Sequence, residues 1–524
     1  MMSPSRLMMG VSLVLVTLMG VSYAVTGRLD AWLPLSDSAG HMEASERSMA
    51  SETPIGPERV EAAGTSIAGG EEALHEHSAS SGNGTSNRSA EGTNDGNDHH
   101  ATTTVTGSAS GDGDESPDTT APHDHVHPTP APSPTVQGEI TGDACPCTVT
   151  NAAELKGTVN LKGDLVVMGG TLVARPGVTV NGNGFQILFT QGGKADFQGS
   201  ATSTWSGNGS SANLSRDLNF KDLRRIMFVD GASRSTLRYF TVSGSGGAAL
   251  GDYPIHFHMN GNSTRGTLVE GVVVVASSHH AFVPHGSHGI TFKDTIAKDV
   301  KGAAYWWDPG QGGNCSNDIL YDHALADHVV NAPGDNRGFY LEAFRLGCGS
   351  GNVVRNSVAR NVAPSHPNSC SGYHWPENDE GVWGFVNNAS YGSACNGIFV
   401  WQNTSKHHLV DGFSGDGIEN GAYVNQYVYR SLDISFIKAH ALGRDGQPVV
   451  FENGRVGSIL ITNHTLGGEP IIFRNLEIGA FIIDNAGGTV PGTYILDGTN
   501  LSCGDIEYRS VYSGSRVIVN GTSC

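Results

Sequence analysis

Aligning the chain with itself reveals one pattern of apolar and polar positions used repeatedly. The runs 236-TLRYFTVSGSG-246, 267-TLVEGVVVVAS-277, 290-ITFKDTIAKDV-300, 319-ILYDHALADHV-329, 352-NVVRNSVARNV-362 and 384-GFVNNASYGSA-394 superimpose without gaps. The fifth place holds Phe240, Gly271, Asp294, His323, Asn356 and Asn388, which predicts a mostly polar corner. The seventh is usually Val, Ile or Leu, which predicts an inward apolar column. Run starts lie 23 to 33 residues apart, the rung length of a solenoid rather than a propeller blade. A unit this short cannot bury its own apolar face, so the units must stack, each strand pairing with its counterpart one rung above and below. The predicted class is therefore all-β, a right-handed parallel β-helix with loops of unequal length, such as 308-DPGQGGNCSND-318 and 331-NAPGDNRGFYLEAFRLGCGSG-351. Loops on one side of a rigid scaffold are where binding and catalysis tend to sit.

Upstream, 157-GTVNLKGDLVVMGGTLVARPGVTVNGNGFQILF-189 breaks into short β-rich runs separated by glycine, with Leu165, Val167, Leu172, Val178 and Val180 in strand positions. Glycine at 71 residues and a charged fraction of 16% suit a turn-rich β protein. The solenoid is expected over 141–524, its first strands over 141–235 and its stacked rungs over 236–524. Residues 36–140 carry 18 acidic against three basic side chains and almost no aromatics. Such a segment buries too little apolar surface to offset its ordering entropy, and is expected to be a disordered spacer. Its histidines, including those of 123-HDHVHP-128, could bind metal loosely, with solvated side chains as the plainer reading. Most of the net charge of −20 lies there, leaving the body only mildly acidic, which disfavours nucleic acid as a partner.

Residues 1–35 begin with Arg6 ahead of an apolar run from Leu7 to Val25, and Ser22-Tyr23-Ala24 resembles a signal-peptidase site. The expectation is a secreted or cell-surface, monomeric protein, either cleaved near Ala24 or held by this segment, since about 19 apolar residues can span a bilayer. In an exported chain, eight cysteines point to disulfides. Cys315 with Cys348, Cys370 with Cys395, and Cys503 with Cys524 are the expected neighbours, while Cys145 and Cys147 read as two separate structural bridges.

Candidate chemistry gathers at one edge of the rungs. In 253-YPIHFHMNG-261, His256 and His258 share one face of an extended segment and Ile255 and Phe257 the other. Stacking brings this stretch beside 280-HAFVPH-285 and 302-GAAYWWD-308, placing His258, His285 and Trp307 in one column with His256 and Tyr305 nearby. A one-residue register change sets Asp308 opposite His285 instead. The cluster is open to three readings: a packing ladder of imidazoles; a polysaccharide site with His256, His258, His285 and Asp308 as proton-transfer groups and Tyr305 and Trp307 as a stacking platform; and a divalent metal site (Zn or Ca) on the three histidines, although no fourth ligand can be named. No cofactor is otherwise implied. Arg337 and Arg345, in the long loop with Glu342, could hold a uronate carboxylate, with surface salt bridging as the plainer reading. The segment 373-YHWPENDEGVW-383, with Glu377, Asp379 and Glu380, is open to a sugar or Ca²⁺ contact, with a solvated loop as the plainer reading.

The stretches 253-YPIHFHMNG-261, 280-HAFVPHGSHGITF-292 and 302-GAAYWWDPG-310 resemble the core of the cell-migration-inducing and cell-surface hyaluronidase family, shared with fibrocystin-like proteins. The likeness covers roughly residues 150–410, with the strands from Val159 to Trp205 similar to that family's G8 domain. It implies an extracellular or membrane-anchored right-handed β-helix that binds or depolymerises hyaluronan or a like glycan. His256, His258 and His285 match family histidines and Asp308 sits near a family acidic position, whereas Trp306 and Trp307 depart from the pattern. A surface adhesin or structural solenoid, with its histidines merely packing, is the alternative function.

Overall fold

The computed structural model describes residues 138–524 except 145–146, 250, 307–314, 332–340, 364–369, 376–380, 401–407, 422–426, 441–447, 463–468 and 486–489. The expected export segment and the acidic spacer up to residue 137 lie outside these residues, as do Trp307, Asp308, Arg337, Glu377, Asp379 and Glu380, while Gly138, Glu139 and Ile140, counted with the spacer, open the strand Gly138–Ala144. Among the described residues, the one helical element is a 3-10 turn, Cys503–Asp505, and no helix is long and apolar enough to cross a membrane.

The chain coils as a parallel β-helix, each rung contributing short strands to three ladders. The first ladder climbs through Cys147–Val149, Leu165–Met168, Ile187–Thr190, Ile226–Phe228, Ile255–Gly261 and Phe282–Ser287. It continues through a single bridge at Tyr305 to Leu341–Arg345, Cys370–Trp375, Asn396–Val400 and Ile418–Asn420. The second and third ladders are built from the repeated runs, for instance Thr291–Lys293 on Leu320–Asp322, and Ile296–Lys301 on Leu325–Val330.

Two details of the repeat differ from the sequence expectation. Thr236 pairs with Leu268 and Asn352 with Trp383, so the first and sixth runs sit one residue away from the gapless alignment. With that register the corner is Tyr239, Gly271, Asp294, His323, Asn356 and Asn387, all with φ between +51° and +62°. That is the left-handed region, which Gly, Asn and Asp enter most readily. The corner is polar because of its backbone conformation.

The seventh-place residues Val273, Ile296, Leu325 and Val358 point outward, not inward. They form their own buried cluster with Ala389 beneath the hairpin of Trp205–Ser206 and Ser211–Ala212. The Trp205 indole stacks on His323 at 3.8 Å and its Nε1 donates to the His323 carbonyl at 3.1 Å, pinning the hairpin there. The inward neighbours are Val274, Ala297, Ala326 and Ala359, part of the one core that runs along the axis.

Aromatic columns fill that core beneath the first ladder. Phe189, Phe228 and Phe257 stack at 4.6 Å per step, and Phe282, Tyr305, Phe344 and Tyr373 at 5.1, 4.5 and 4.8 Å. In-register stacking makes this unavoidable, because each inward side chain lies one strand spacing from its counterpart. Disulfides Cys315–Cys348, Cys370–Cys395 and Cys503–Cys524 have Cα separations of 5.3, 5.2 and 5.4 Å, and Cys147 is disulfide-bonded as well; because those six cysteines pair among themselves, the expectation of two separate bridges for Cys145 and Cys147 does not hold.

Candidate functional site

Inward Ile255 and Phe257 force His256 and His258 onto the outer face of the first ladder. The next rung is in register, with His256 opposite Val283 and His258 opposite His285. Ring centroids lie 4.8 Å apart for His258 and His285, 5.1 Å for His256 and His258, and 6.3 Å for His256 and His285. Their nearest ligating nitrogens all fall within 4.8 Å of one another. His256 is 1% exposed and His285 8%, whereas His258 is half-buried at the rim.

The strand ends where the sequence breaks its alternation. Met259 adopts φ +54° and Gly261 φ +53°, and the pairing register shifts between His258 and Gly261. Buried Asn260 holds this corner: its side-chain amide donates to the Phe228 carbonyl at 2.8 Å and its Oδ1 accepts from the Ala232 N–H at 3.1 Å. The histidines thus sit on a strand whose end is fixed from both sides.

His256 Nδ1 lies 3.0 Å from the Gly251 carbonyl. A carbonyl can only accept, so Nδ1 carries the proton and Nε2 presents its lone pair. Burial first, and then the neighbouring His258, hold the His256 pKa well below the ordinary imidazole range. It stands as a neutral base.

Sequence reasoning missed the aromatic wall beside these rings. Tyr253, fully buried, lies with its centroid 4.7 Å from His256, 4.9 Å from His279, 5.3 Å from His280 and 5.6 Å from Trp306. His280 stacks on Trp306 at 3.9 Å, and its Nδ1 accepts from the Ala303 N–H at 2.8 Å. The histidine pair in 277-SSHHA-281 was the available signal.

Tyr305 is not a stacking platform. It faces the interior with no exposure, sandwiched between Phe282 and Phe344, and its hydroxyl bonds Thr295 Oγ1 at 2.9 Å. The reason is register: Phe282 bridges Tyr305, one residue away from the alignment that would set His285 against Trp307, so Trp306 takes the outward place. Arg345 and Glu342 are not loop residues but belong to the strand Leu341–Arg345, and Arg345 Nη1 donates to Glu342 Oε1 at 3.2 Å.

Arg345 is in register with His374, His374 with Phe399, Phe399 with Glu419, and Glu419 with Lys438. The stretch from Tyr373 to Trp383 is not a solvated loop at its ends, since Tyr373, His374 and Trp375 lie buried in the strand Cys370–Trp375 and Trp383 is buried as well; burial, followed by the Arg345 charge, pushes the His374 pKa well down. Glu419 ends this row in a charge network. Lys438 Nζ donates to its Oε1 at 2.9 Å, His440 Nε2 lies 2.7 Å from the same oxygen, and Asn396 donates to Oε2 at 3.0 Å. Burial opposes ionisation of Glu419, but His440 and Lys438 outweigh it and hold the carboxyl at about 2.

Residues 225–416 match the family described as CEMIP beta-helix. The chain is similar to the cell surface hyaluronidase CEMIP2 of Homo sapiens, at 29% identity over 91 residues, 16% of this chain and 7% of that protein. It is also similar to a G8 domain-containing protein of Dictyostelium discoideum, at 26% identity over 137 residues, 23% of this chain and 9% of that one. The chain thus matches less than a tenth of the length of either relative. Among solved structures it resembles the catalytic domain of a GH87 alpha-1,3-glucanase in complex with nigerose, with TM-score 0.38 and 14% identity over 63% of this chain and 64% of that chain. A variant of that domain in complex with tetrasaccharides gives TM-score 0.32 and 12% identity over the same shares. Likeness at this level says nothing of the site.

Proposed function

We propose, from the match of residues 225–416 to the CEMIP beta-helix family, that the protein binds an extracellular polysaccharide on the outer face of the first ladder and shortens it there. The observation that carries the reading is the meeting of His256, His258 and His285 at one place on that face, one of them at its rim. Imidazole is the side chain best suited to pass a proton to and from a reacting oxygen, as bond cleavage at a glycosidic oxygen requires. In this reading His258 and His285 exchange protons with the glycan, His256 supports them as a neutral base, and Asp308 supplies the carboxylate that such chemistry commonly uses. Trp307 and Arg337 contribute a sugar-stacking face and a carboxylate contact, while Tyr305 has no part and Arg345 serves Glu342. Three disulfides suit an oxidising compartment, in keeping with a position outside the cell or at its surface. The human relative's name makes a hyaluronan-like glycan the first to try.

The test incubates the full-length protein with hyaluronan, chondroitin and bacterial exopolysaccharides and follows their size by exclusion chromatography. One glycan class is expected to shorten, and His258→Ala to slow the shortening by about a hundredfold, the lower end of what acid–base groups contribute. If no glycan is retained or shortened, the glycan reading fails and the protein is a structural solenoid.

A further inference from the structure

We propose that His256, His258 and His285 together bind one divalent transition-metal ion of the zinc class. The assignment shares its site with the glycan reading but stands without it, because metal binding is measured with no glycan present.

The argument begins with His256. Its ring is fixed by the Gly251 carbonyl at Nδ1, which leaves the unprotonated Nε2 buried, with no hydrogen-bond partner among the described residues. A metal-binding imidazole is built this way: the second nitrogen donates to a carbonyl, which sets the tautomer and aims the lone pair at the ion. A packing ladder gives no reason to hold a bare, buried nitrogen.

The geometry fits the same ion. In a tetrahedral zinc site with bonds of about 2.0–2.1 Å, ligand nitrogens lie roughly 3.3 Å apart. The three nitrogens here lie within 4.8 Å of one another, and His258, half-buried at the rim, can turn inward to close the set. Its backbone is anchored by the left-handed Met259 corner and by Asn260, so the turn needs only side-chain rotation.

The donor set selects the ion. Three imidazole nitrogens are poor donors for calcium and magnesium, which take oxygen ligands, and favour zinc or a neighbouring transition metal. Among the described residues no further His, Cys, Asp or Glu joins the trio. Three protein nitrogens leave a coordination position for water or for a substrate oxygen, the pattern of catalytic rather than structural zinc. Such an ion would polarise that oxygen or lower the pKa of bound water.

The test uses the full chain, untagged, purified without chelator, loaded with zinc and dialysed, with metal content read by mass spectrometry. Because 36–140 carries its own histidines, a second protein with His123, His125 and His127 changed to alanine is measured alongside. About one zinc per chain is expected in both, falling to near none in His285→Ala and in His258→Ala; the latter alters a rim residue and keeps the fold. Cobalt in place of zinc should give the visible absorption of a low-coordinate nitrogen site, absent from the same variants. Zinc content unchanged in both variants, or no zinc retained by the parent protein, would overturn the assignment. Zinc bound without any glycan shortened would remove the glycan reading alone, and shortening by zinc-free protein would remove the metal from it.

Discussion

Replacing Phe344 by alanine is expected to lower the unfolding free energy by about 3–5 kcal/mol, read as a shift of the urea midpoint with the slope unchanged. Phe344 is fully buried and lies in the middle of a column, with Tyr305 on one side at 4.5 Å and Tyr373 on the other at 4.8 Å. Truncation leaves a cavity that the neighbouring rungs cannot close, because each ring is held at strand spacing by its own backbone pairing. The loss of two stacked contacts, about 0.5–1.5 kcal/mol each, belongs to the same total. The rung register at Tyr305 depends on single bridges to Phe282 and Phe344, so the substitution should also loosen the wall beside the histidines. A cost below about 1 kcal/mol would mean that the column is not packed as described.

Replacing Glu419 by glutamine is expected to remove about 3 kcal/mol of stability at pH 7, and the deficit should close as the pH falls. The sign follows from the direction of the shift. The folded carboxyl titrates at about 2, below its ordinary 4.5, so its contribution is fully present above 4.5 and is lost as the pH falls through 2. The groups facing it are Lys438 and His440, with Asn396 on the other oxygen. Glutamine keeps the shape and removes the charge. Unfolding curves of the two proteins between pH 3 and pH 8 should draw together below pH 4.5, with the gap at pH 3 well under that at pH 7 but not yet closed. Parallel curves at every pH would show that the charge of Glu419 does no work in the fold.

The solenoid was legible in the sequence because each rung repeats the same strand–corner–strand grammar. Its register was less so. Tyr239 occupies a left-handed corner that Gly, Asp, His or Asn fills in the other runs, so nothing in its chemistry marked the turn and the first run slipped by one. A one-residue slip sends a side chain to the opposite face, which is why Tyr305 looked like a surface residue and lies in the core. Val273, Ile296, Leu325 and Val358 misled for a different reason. An outward apolar column reads as inward unless one knows that a hairpin covers it, and the Trp205 hairpin comes from 68 residues before Val273 in the chain. His258 and His285 were predictable neighbours because both stand three residues after inward positions, Ile255 and Phe282, that pair directly. Tyr253, His279 and His280 were not, since all three lie in the turns that precede the strands Ile255–Gly261 and Phe282–Ser287, where no repeat fixes the register.

The claim on which both proposals rest is that adjacent rungs set His258 against His285. An experimental electron-density map of the full chain tests it directly. It should show Ile255 opposite Phe282 and the two imidazole centroids close to 4.8 Å apart on the outer face. A map with the rings on opposite faces, or with the pairing displaced by a residue so that one ring enters the core, would contradict it.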